Sequence, residues 1–537
     1  MQIIRFAPIF KHTNMVNELK TPDLEVQISG GEEAPETSTN PPPPDTVQTQ
    51  LKAKRVLAAT AVRTKLEGGW CAPEALDATL DEYLEAVQFT DPNITPDNIA
   101  AAITYATGEG TDKSNRKISP VPSNIAARIT ALRELKESGK LINVAAVNVG
   151  GTNTVATIAA VQNGTITLKG LDKKSFRKQE EIGKPIQCVD HVDYWKRTIP
   201  SEFIEKLKAM TGNEETQLAI EIAVAAPVKD GYVLHMSDKA SFERDPLAPL
   251  NEGESRKVGE DRSQYPTIAQ SFSKFLEGKG IKIPPESIFT GENDTINIVM
   301  GTPDQAYETL QNQETHNGIG GIVVGTGFNV CAFHHSGTGY NFEIGHYELP
   351  TPCQLDKEVS PDGLVDIESC VSGKILGNVL KAAIEELTSK DSNLGQAIRA
   401  MDKDTLNALI FALAFDSNSD EIPLELNVPK ISLKEHRFLT RLCSKLTERV
   451  VKYLAAVLEG ISATMINNIT FFEEGSVLER NPWLNGAINR AIGKRSLATP
   501  SPVTITNLTS QRFTDNLPPS FFGAIFDAAA KAYLARK

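Results

Sequence analysis

The sequence feature that most constrains the fold is a pair of glycine turns, each placed after a short apolar run rich in β-branched residues. The first run covers residues 142–149 and leads into the turn 150–153, and the second covers 319–325 and leads into the turn 325–329. Apolar runs of this length predict buried strands, and glycine directly after them predicts a turn of the backbone. The chain should therefore contain two sheets, each with a glycine turn at a strand end.

The periodicity around these turns predicts an alternation of strands and helices. The segments 154–161 and 164–168 continue the first run as an antiparallel meander. Further strands are predicted at 217–225, 287–290, 330–335, 468–472 and 503–507. Helices are predicted at 47–66, 76–87, 96–105, 123–138, 265–278, 368–388, 393–402, 404–414, 433–464 and 520–535, with one more after Asp294.

Length and composition predict several domains and an N-terminal tail. At 537 residues the chain is too long for one ordinary hydrophobic core, so two or more domains with a cleft between them are expected. Residues 1–49 combine acidic residues, Ser and Thr with the run Pro41-Pro42-Pro43-Pro44. Because this composition buries little apolar surface, it predicts a disordered acidic and Pro-rich tail.

Charge and cysteine content exclude several classes of function. The chain has 68 acidic and 55 basic residues, and its net charge of −13 opposes nonspecific binding to nucleic acid or acidic lipid. No stretch approaches the ~18 apolar residues of a membrane span, so no membrane partner is expected. The six cysteines lie far apart without a CxxC pair, which predicts reduced thiols, a cytoplasmic protein and no metal centre. We expect a monomer or a homodimer.

A carboxylate lies between the two glycine turns in the sequence. Gly150-Gly151 alone is as consistent with an ordinary hairpin as with a ligand site. Its significance grows because the second turn also carries a hydroxyl residue, Thr326. Glycine turns let backbone N–H groups approach phosphate, and Asp294, in the segment Asn293-Asp294-Thr295, can accept a proton from a hydroxyl. These features together predict phosphoryl transfer to a hydroxyl group.

Several segments resemble the hexokinase family of sugar kinases. Asn148-Val149-Gly150-Gly151-Thr152-Asn153 is similar to the first phosphate loop of that family, and Asn293-Asp294-Thr295 to its catalytic segment. Further similarities, in the order of the family, are Val323-Val324-Gly325-Thr326-Gly327-Phe328-Asn329 to the second phosphate loop, Asn341-Phe342-Glu343-Ile344-Gly345 and Glu368-Ser369-Cys370 to two sugar-binding segments, and Gly475-Ser476-Val477 to the nucleoside turn. The matches extend over residues 140–480.

The resemblance implies an α/β protein with the actin-like ATPase fold, which is ribonuclease H-like. In this fold two domains, each with a five-stranded mixed sheet flanked by helices, face one another across a central cleft. The large domain would comprise residues 50–139 and 291–517, and the small domain residues 140–290 and 518–537. Sugar would bind deep in the cleft and the nucleotide at its mouth.

The resemblance also implies a reaction and its residues. Transfer of the γ-phosphoryl group of ATP to the 6-hydroxyl of a hexose, glucose first, would use Asp294 as general base and Mg²⁺ bound with ATP. The residues implied for the sugar are Asn293, Glu343, Glu368, Lys239 and Asp238. Those implied for the nucleotide are Gly150, Gly151, Thr152, Asn153, Gly325, Thr326, Gly327, Asn329, Gly475 and Ser476. His346 is an open candidate for a sugar contact.

The chain departs from the family pattern close to the expected ligands. Asn148 stands where the family has Asp, and Val155 where it has Arg, so one negative and one positive charge are missing. Other departures are Ala225-Ala226-Pro227 in the sugar loop, Asp238 before Lys239, and the segment 520–524 near the expected adenosine turn. They keep open a second hypothesis, a catalytically weak hexokinase-like protein that binds sugar as a regulator or sensor. From the sequence, Asn148→Asp is expected to leave activity equal or higher.

Overall fold

The computed structural model describes residues 44–69, 71–107, 120–177, 185–211, 218–233, 240–242, 266–284, 286–311, 317–360, 363–373, 375–415, 431–465, 468–495, 503–506 and 517–537. Contacts divide the chain into Met1–Thr49 and one compact unit, Gln50–Lys537. Of the predicted tail, residues 44–49 are described, and they form the first turns of a helix. The rest of that tail lies outside the described residues, and its predicted disorder stays a prediction.

Helices make up most of the compact unit outside its sheets. In chain order they are α1 (Pro44–Glu67), α2 (Pro73–Ala86), α3 (Pro96–Ala106), α4 (Ala126–Ser138), α5 (His191–Thr198), α6 (Ser201–Thr211), α7 (Ile268–Glu277), α8 (Asp294–Met300), α9 (Pro303–Gln311), α10 (Gln354–Val359), α11 (Ile367–Val371), α12 (Leu376–Leu387), α13 (Asn393–Ala400), α14 (Lys403–Phe415), α15 (Leu433–Met465), α16 (Ser476–Arg480), α17 (Pro482–Arg495) and α18 (Pro519–Ala535).

One predicted helix is interrupted. The segment 368–388 was expected to form a single helix, but α11 ends at Val371 and α12 begins at Leu376. Between them Gly373 donates its N–H to Gly325 O at 2.8 Å, so the backbone there binds the second glycine turn and does not continue the helical hydrogen bonds. The interruption therefore has a role in holding that turn.

The strands form two large sheets and two small ones. In chain order they are β1 (Val121–Asn124), β2 (Ile142–Val149), β3 (Asn153–Gln162), β4 (Thr165–Ser175), β5 (Ile186–Cys188), β6 (Leu218–Val224), β7 (Val228–Lys229), β8 (Tyr232–Val233), β9 (Ala240–Phe242), β10 (Ile288–Asn293), β11 (Gly318–Val324), β12 (Phe328–Phe333), β13 (Thr338–Asn341), β14 (Ile469–Glu474) and β15 (Val503–Thr506). The large sheets have the orders β10-β6-β2-β3-β4 and β1-β13-β12-β11-β14-β15.

The five-stranded sheet contains the predicted meander. β2, β3 and β4 pair in antiparallel order, and β6 joins β2 and β10 by parallel pairing. Every residue of β6 is buried, which is typical of a strand covered by helices on both faces. The mixed sheet flanked by helices agrees with the fold class that the sequence predicts.

The second large sheet has six strands, whereas five were predicted. The sequence predicted no strand at 338–341, where β13 forms, or at 121–124, where β1 forms and pairs in antiparallel fashion with β13 at the edge of the sheet. The sequence of β1, Val121-Pro122-Ser123-Asn124, is short and lacks the alternation that identifies a strand. Pro122 has no N–H to donate and is compatible with a strand only at such an edge.

Helices α8 and α18 pack backbone against backbone. A Cβ atom added at Gly523 of α18 would lie 1.7 Å from Asn297 O of α8, and one added at Gly301 would lie 2.3 Å from Pro519 O. Only glycine permits this approach at either position. The segment 520–524 was expected near the adenosine turn of the family. In the structure this segment is the start of the buried helix α18.

A cluster of buried charges joins α4, β6, β10 and α18. Arg128 donates to Glu292 at 2.8 Å and to Asp527 at 3.0 Å. Lys531 lies 2.6 Å from Asp527 and 3.3 Å from Glu221. Charges at this depth depend on their partners, because an unpaired one would remain without water or a counter-ion. The cluster therefore fixes α18 against the sheet.

Burial in this cluster raises the pKa of Glu221, with the Lys531 charge opposing the shift and the Asp527 charge adding to it. A carboxyl group whose pKa is higher in the folded state than in the unfolded state takes up a proton on folding. Its contribution to stability is complete below the unfolded pKa and is lost as the pH rises through the folded pKa. Glu221 should therefore make the protein less stable as the solution becomes more basic.

We predict that Glu221→Gln removes this part of the pH dependence. Between the ordinary carboxyl range and the raised pKa of Glu221, the free energy of unfolding of the wild type should fall with rising pH relative to that of the variant. Urea denaturation over this range measures the difference. Glu286→Gln, at an exposed position, should follow the wild type; a Glu221→Gln profile parallel to the wild type would contradict the prediction.

Candidate functional site

Strand ends and loops from both large sheets meet at one cavity of about 210 Å³. It is lined by Gly150, Gly151, Arg177, Ala225, Ala226, Pro227, Asn293, Asp294, Thr295, Val323, Thr326, Gly327, Phe328, Asn329, Glu343, His346, Glu368 and Glu474. The lining includes the predicted base, three predicted sugar-binding residues and members of both glycine turns. We refer to this space as the central cavity.

Strand pairing brings Asp294 beside the first glycine turn. Val224 of β6 pairs with Val149 of β2 on one side and with Asn293 of β10 on the other. Gly150 and Asp294 are the next residues along their strands. Because the pairing is parallel, both leave the sheet at the same edge.

The side chain of Asn293 holds the start of α8. It accepts the N–H of Thr295 at 2.8 Å as an N-terminal cap and donates to Ala226 O at 2.8 Å. The N–H of Asn293 itself is bound by Glu292 at 3.1 Å, which connects the buried charge cluster to this segment. Asp294 follows as the first residue of α8, and its carboxylate lies in the cavity.

Glu343 reaches the cavity from a strained backbone position. Its φ of 49° is left-handed, a conformation that non-glycine residues seldom adopt. Its Oε1 atom accepts hydrogen bonds from Asn329 at 3.0 Å and from Asn341 at 2.6 Å. Strain of this kind persists only where surrounding contacts maintain it, and it is common at ligand sites.

Glu368 approaches the same space from the start of α11. Its Oε2 atom accepts the N–H of Phe328 at 3.0 Å. The contact requires glycine at position 345, because a Cβ there would lie 2.3 Å from Phe328 O and 3.3 Å from the Cβ of Glu368. Gly345 therefore sets how closely its own segment approaches Phe328 and Glu368.

His346 also lines the cavity, next to these carboxylates. Its Nδ1 atom lies 3.8 Å from Asp366 Oδ2, and Asp366 caps α11 by accepting the N–H of Ser369 at 2.8 Å. The sequence left His346 open as a sugar contact, and the structure places it where such a contact can be made.

The glycine turns are closed by short backbone bonds. Gly150 donates its N–H to Asn153 O at 3.0 Å, and Gly325 donates to Gly327 O at 2.9 Å. Gly325 also adjoins the predicted nucleoside turn, since a Cβ there would lie 3.7 Å from Gly475 Cα and 3.7 Å from Ser476 N.

The remaining predicted site residues divide into two groups. The predicted nucleotide residues that are absent from the lining of the cavity are Thr152, Asn153, Gly325, Gly475 and Ser476. Lys239 and Asp238, predicted for the sugar, lie outside the described residues, and their roles stay predictions.

Two ionisable residues of the cavity were missed by the sequence reasoning. Arg177 follows β4, and it reaches the first glycine turn because Phe176 donates its N–H to Thr152 O at 3.2 Å. Glu474 ends β14, directly before the Gly475 turn. Only the second had a sequence signal, its position beside a recognised motif; Arg177 depends on the pairing of β3 with β4.

Glu474 differs from an ordinary surface carboxylate. Burial raises the pKa of Glu474 to about 8, and the nearby charge of Asp294 adds to the shift, while hydrogen bonds from Ser520 oppose it. Both oxygens are engaged, Oε2 by the Ser520 N–H and Oε1 by the Ser520 hydroxyl, each at 2.7 Å. The cavity lining thus contains a second titratable carboxyl group close enough to Asp294 to respond to its charge.

A larger cavity of about 1180 Å³ also lies beside β10, where Thr290, Gly291 and Glu292 contribute to its wall. The described members of the predicted site are absent from its lining. The predicted site residues that line a cavity therefore lie at the smaller, central one.

No protein-family model matches the chain, and no curated protein matches it. Several solved structures, however, are similar to the chain. A hexokinase superposes with a TM-score of 0.51 at 13% sequence identity, covering 90% of this chain and 100% of the hexokinase chain. A hexokinase from Schistosoma mansoni complexed with glucose gives 0.49 at 17% identity, with 90% and 99% covered. A ROK family glucokinase from Streptomyces griseus in complex with glucose and AMPPNP gives 0.38 at 14% identity, with 71% and 98% covered.

At these identities the likeness establishes the fold. The chain has the fold of hexokinase, which the resemblance in the sequence implied. Within the described ranges, no group of three or more His, Cys, Asp or Glu side chains is arranged to hold a metal ion, and no helix could cross a membrane. The six cysteines are free thiols.

We predict that Gly345→Ala destabilises the protein. The added methyl group would overlap Phe328 O, so the segments must move apart, and such overpacking costs about 1–3 kcal/mol. Urea denaturation should show this loss of stability. Gly151→Ala is the matched control for stability, since nothing lies within 4 Å of its added Cβ. Equal stability of the two variants would contradict the close approach at Gly345.

Proposed function

We propose that the protein is a hexokinase-like sugar kinase that transfers the γ-phosphoryl group of ATP to the 6-hydroxyl of a hexose, with glucose as the first candidate. The observation that carries the proposal is the meeting of Asp294, Glu343 and Glu368 with both glycine turns at the central cavity. A proton acceptor, polyol-binding carboxylates and phosphate-binding turns are what phosphoryl transfer to a sugar requires. The proposal includes a cytoplasmic protein, as a monomer or homodimer.

The sugar would bind at the glutamate end of the cavity. Glu343, Glu368 and Asn293 would accept or donate hydrogen bonds to ring hydroxyls, because carboxylates and amides fix the orientation of a polyol. His346 lines the same end and would contact the sugar as well. Lys239 and Asp238 belong to this part of the proposal through the family resemblance alone.

The nucleotide would bind at the glycine-turn end. Backbone N–H groups of Gly151, Thr152 and Asn153 would face the phosphates from one side, and those of Thr326, Gly327 and Asn329 from the other. Gly150 and Gly325 would shape the two turns, because their own N–H groups close them. Gly475 and Ser476 would contact the nucleoside. Arg177 adds a permanent positive charge beside the first turn.

Mg²⁺ fits the donor set at this end. Asp294 and Glu474 both line the cavity, and carboxylate oxygens together with waters and phosphate oxygens are the ligands that Mg²⁺ prefers. When bound, the ion supplies neutralisation of phosphate charge. Asp294 would hold its hydration shell near the phosphates, because both oxygens of Glu474 already accept hydrogen bonds from Ser520.

Asp294 would take part directly in the reaction. As the sugar hydroxyl oxygen bonds to the γ-phosphorus, the bond from phosphorus to the β,γ-bridging oxygen breaks and ADP leaves. The hydroxyl proton passes to the carboxylate of Asp294. The cap formed by Asn293 fixes the first turn of α8 and with it the position of this carboxylate.

The second candidate function is a sugar-binding regulator or sensor with weak catalysis. Asn148 and Val155 favour it, because both replace charged residues of the family pattern. Val155 packs against the apolar core behind the sheet, so it contributes nothing to phosphate binding. Arg177 favours the kinase, since it brings a guanidinium group to the same turn from another strand.

We predict that Asp294→Ala and Asp294→Asn lower kcat at least about 100-fold, since removal of a general base has effects of this order. A coupled assay of ADP release with ATP and hexose measures the loss. Hexose affinity, from calorimetry, should stay within about threefold because Glu343 and Glu368 remain. Asp304→Asn, a surface aspartate paired with Lys136, should behave as the wild type. An active Asp294→Ala protein would exclude Asp294 as the base.

The same assay distinguishes the two candidate functions. A panel of hexoses offered with ATP, ADP or polyphosphate identifies the substrate and the phosphoryl donor. Binding of hexose without ADP release from any pair would favour the regulator. Turnover with a hexose and ATP, lost when the 6-hydroxyl is removed, would support the kinase.

A further inference from the structure

Three side chains form a hydrogen-bonded connection behind the central cavity. Asn148 Nδ2 donates to Ser520 Oγ at 2.8 Å. The Ser520 hydroxyl donates to Glu474 Oε1, and the Ser520 N–H donates to Glu474 Oε2, each at 2.7 Å. Ser520 is fully buried and Asn148 is 8% exposed, so water cannot readily replace these bonds. We call this connection the 148–520–474 relay.

The relay joins the two large sheets. Asn148 lies near the end of β2 in the five-stranded sheet, and Glu474 ends β14 in the six-stranded sheet. Ser520 lies between them in the first turn of α18. The first glycine turn begins two residues after Asn148, and the Gly475 turn directly follows Glu474.

The direction of each hydrogen bond follows from the chemistry of the side chains. An ionised Glu474 can only accept, so the single hydroxyl proton of Ser520 is committed to it. The Ser520 oxygen can then only accept from residue 148, which must be a donor. The amide of Asn148 meets this requirement, whereas an aspartate would not.

We propose that the 148–520–474 relay is a positioning element that holds the glycine turn after Asn148 and the Gly475 turn at the separation needed by a nucleotide. This inference rests on the proposed kinase function. In the relay the donor Asn148 complements the acceptor Glu474 on the two sides of the Ser520 hydroxyl. This requirement for a donor is a structural reason for asparagine at the position where the family has aspartate.

The relay reverses one expectation from the sequence. Asn148→Asp was expected to leave activity equal or higher, because the family has Asp there. In this chain an aspartate would present an acceptor to Ser520 Oγ where a donor is required. It would also add negative charge beside Glu474, whose pKa already responds to Asp294.

A polarity exchange tests the proposal. Asn148→Asp alone leaves the Ser520 hydroxyl with two acceptors, and Glu474→Gln alone gives it two donors. In the double variant Asn148→Asp/Glu474→Gln, the introduced glutamine amide donates to Ser520 Oγ, and the Ser520 hydroxyl donates to the introduced aspartate. The Ser520 N–H still reaches the carbonyl oxygen of the introduced glutamine. Both bonds to the Ser520 hydroxyl are thus restored in the opposite direction.

We predict that each single variant weakens binding of AMP-PNP and raises KM for ATP by about tenfold or more, the effect of mismatching a buried bond to a charged group. The double variant should return to within about threefold of the wild type. The affinity for the hexose, measured without nucleotide, should change little in all three. Measurement at about pH 9 lies above the raised pKa of Glu474, about 8, so that most of this carboxyl group is ionised, as the direction of the hydrogen bonds requires.

Ser520→Ala distinguishes recovery through the hydrogen bonds of the relay from recovery that needs only one carboxylate at either position. If the double variant recovers only because one carboxylate is present in either arrangement, recovery should persist with Ser520→Ala, and the relay would be refuted. If recovery requires the hydroxyl, it should be lost. Single variants that bind AMP-PNP as the wild type does, or a folded double variant that does not recover, would likewise overturn the proposal.

Failure of the relay can be distinguished from failure of the proposed kinase function. A wild type that binds neither ATP nor AMP-PNP would refute the kinase, and with it the positioning role. A wild type that transfers phosphate while the exchange shows no recovery would refute the relay alone. Urea denaturation of the four proteins reports whether the three side chains are coupled, independently of any ligand.

Discussion

The parallel pairing of β6 with β2 on one side and β10 on the other is the constraint on which the site depends. It places Val149 and Asn293 level with Val224, so the first glycine turn and Asp294 emerge together. The other large sheet repeats the arrangement, because β11 pairs in parallel with β14 and sets Val323 level with Glu474. Each sheet thus delivers two functional segments at one edge, and a shift of register in either would separate them.

Backbone contacts fix the helix that carries Asp294. On one side of α8, a Cβ added at Gly321 of β11 would lie 2.8 Å from Thr295 O, and on the other, one at Gly523 would lie 1.7 Å from Asn297 O. Because main chains meet with no side chain between them, the first turn of α8 cannot shift by side-chain repacking. A proton acceptor needs this precision, since small displacements of a reacting group slow catalysis strongly.

The sequence was informative where function and local pattern coincide. Glycine turns after apolar runs identified strand ends, and the carboxylates near them proved to share one cavity. The strand and the residues that the sequence did not predict depend on contacts between distant segments. β1 becomes a strand only through the edge of β13, and Arg177 reaches the first turn only through the pairing of β3 with β4. Ser520 binds Asn148 from 372 residues further along the chain. No local periodicity encodes these contacts.

Charge in the central cavity is divided in a way that suits two different ligands. Among the described lining residues, Glu343 and Glu368 lie at one end, with their oxygens bound by amide and backbone N–H groups. Such held carboxylates suit neutral hydroxyls, which can donate to them. At the other end Arg177 lines the cavity together with Asp294 and Glu474. Its permanent positive charge and the raised pKa of Glu474, about 8, both reduce the repulsion that the phosphates of the proposed substrate would meet there.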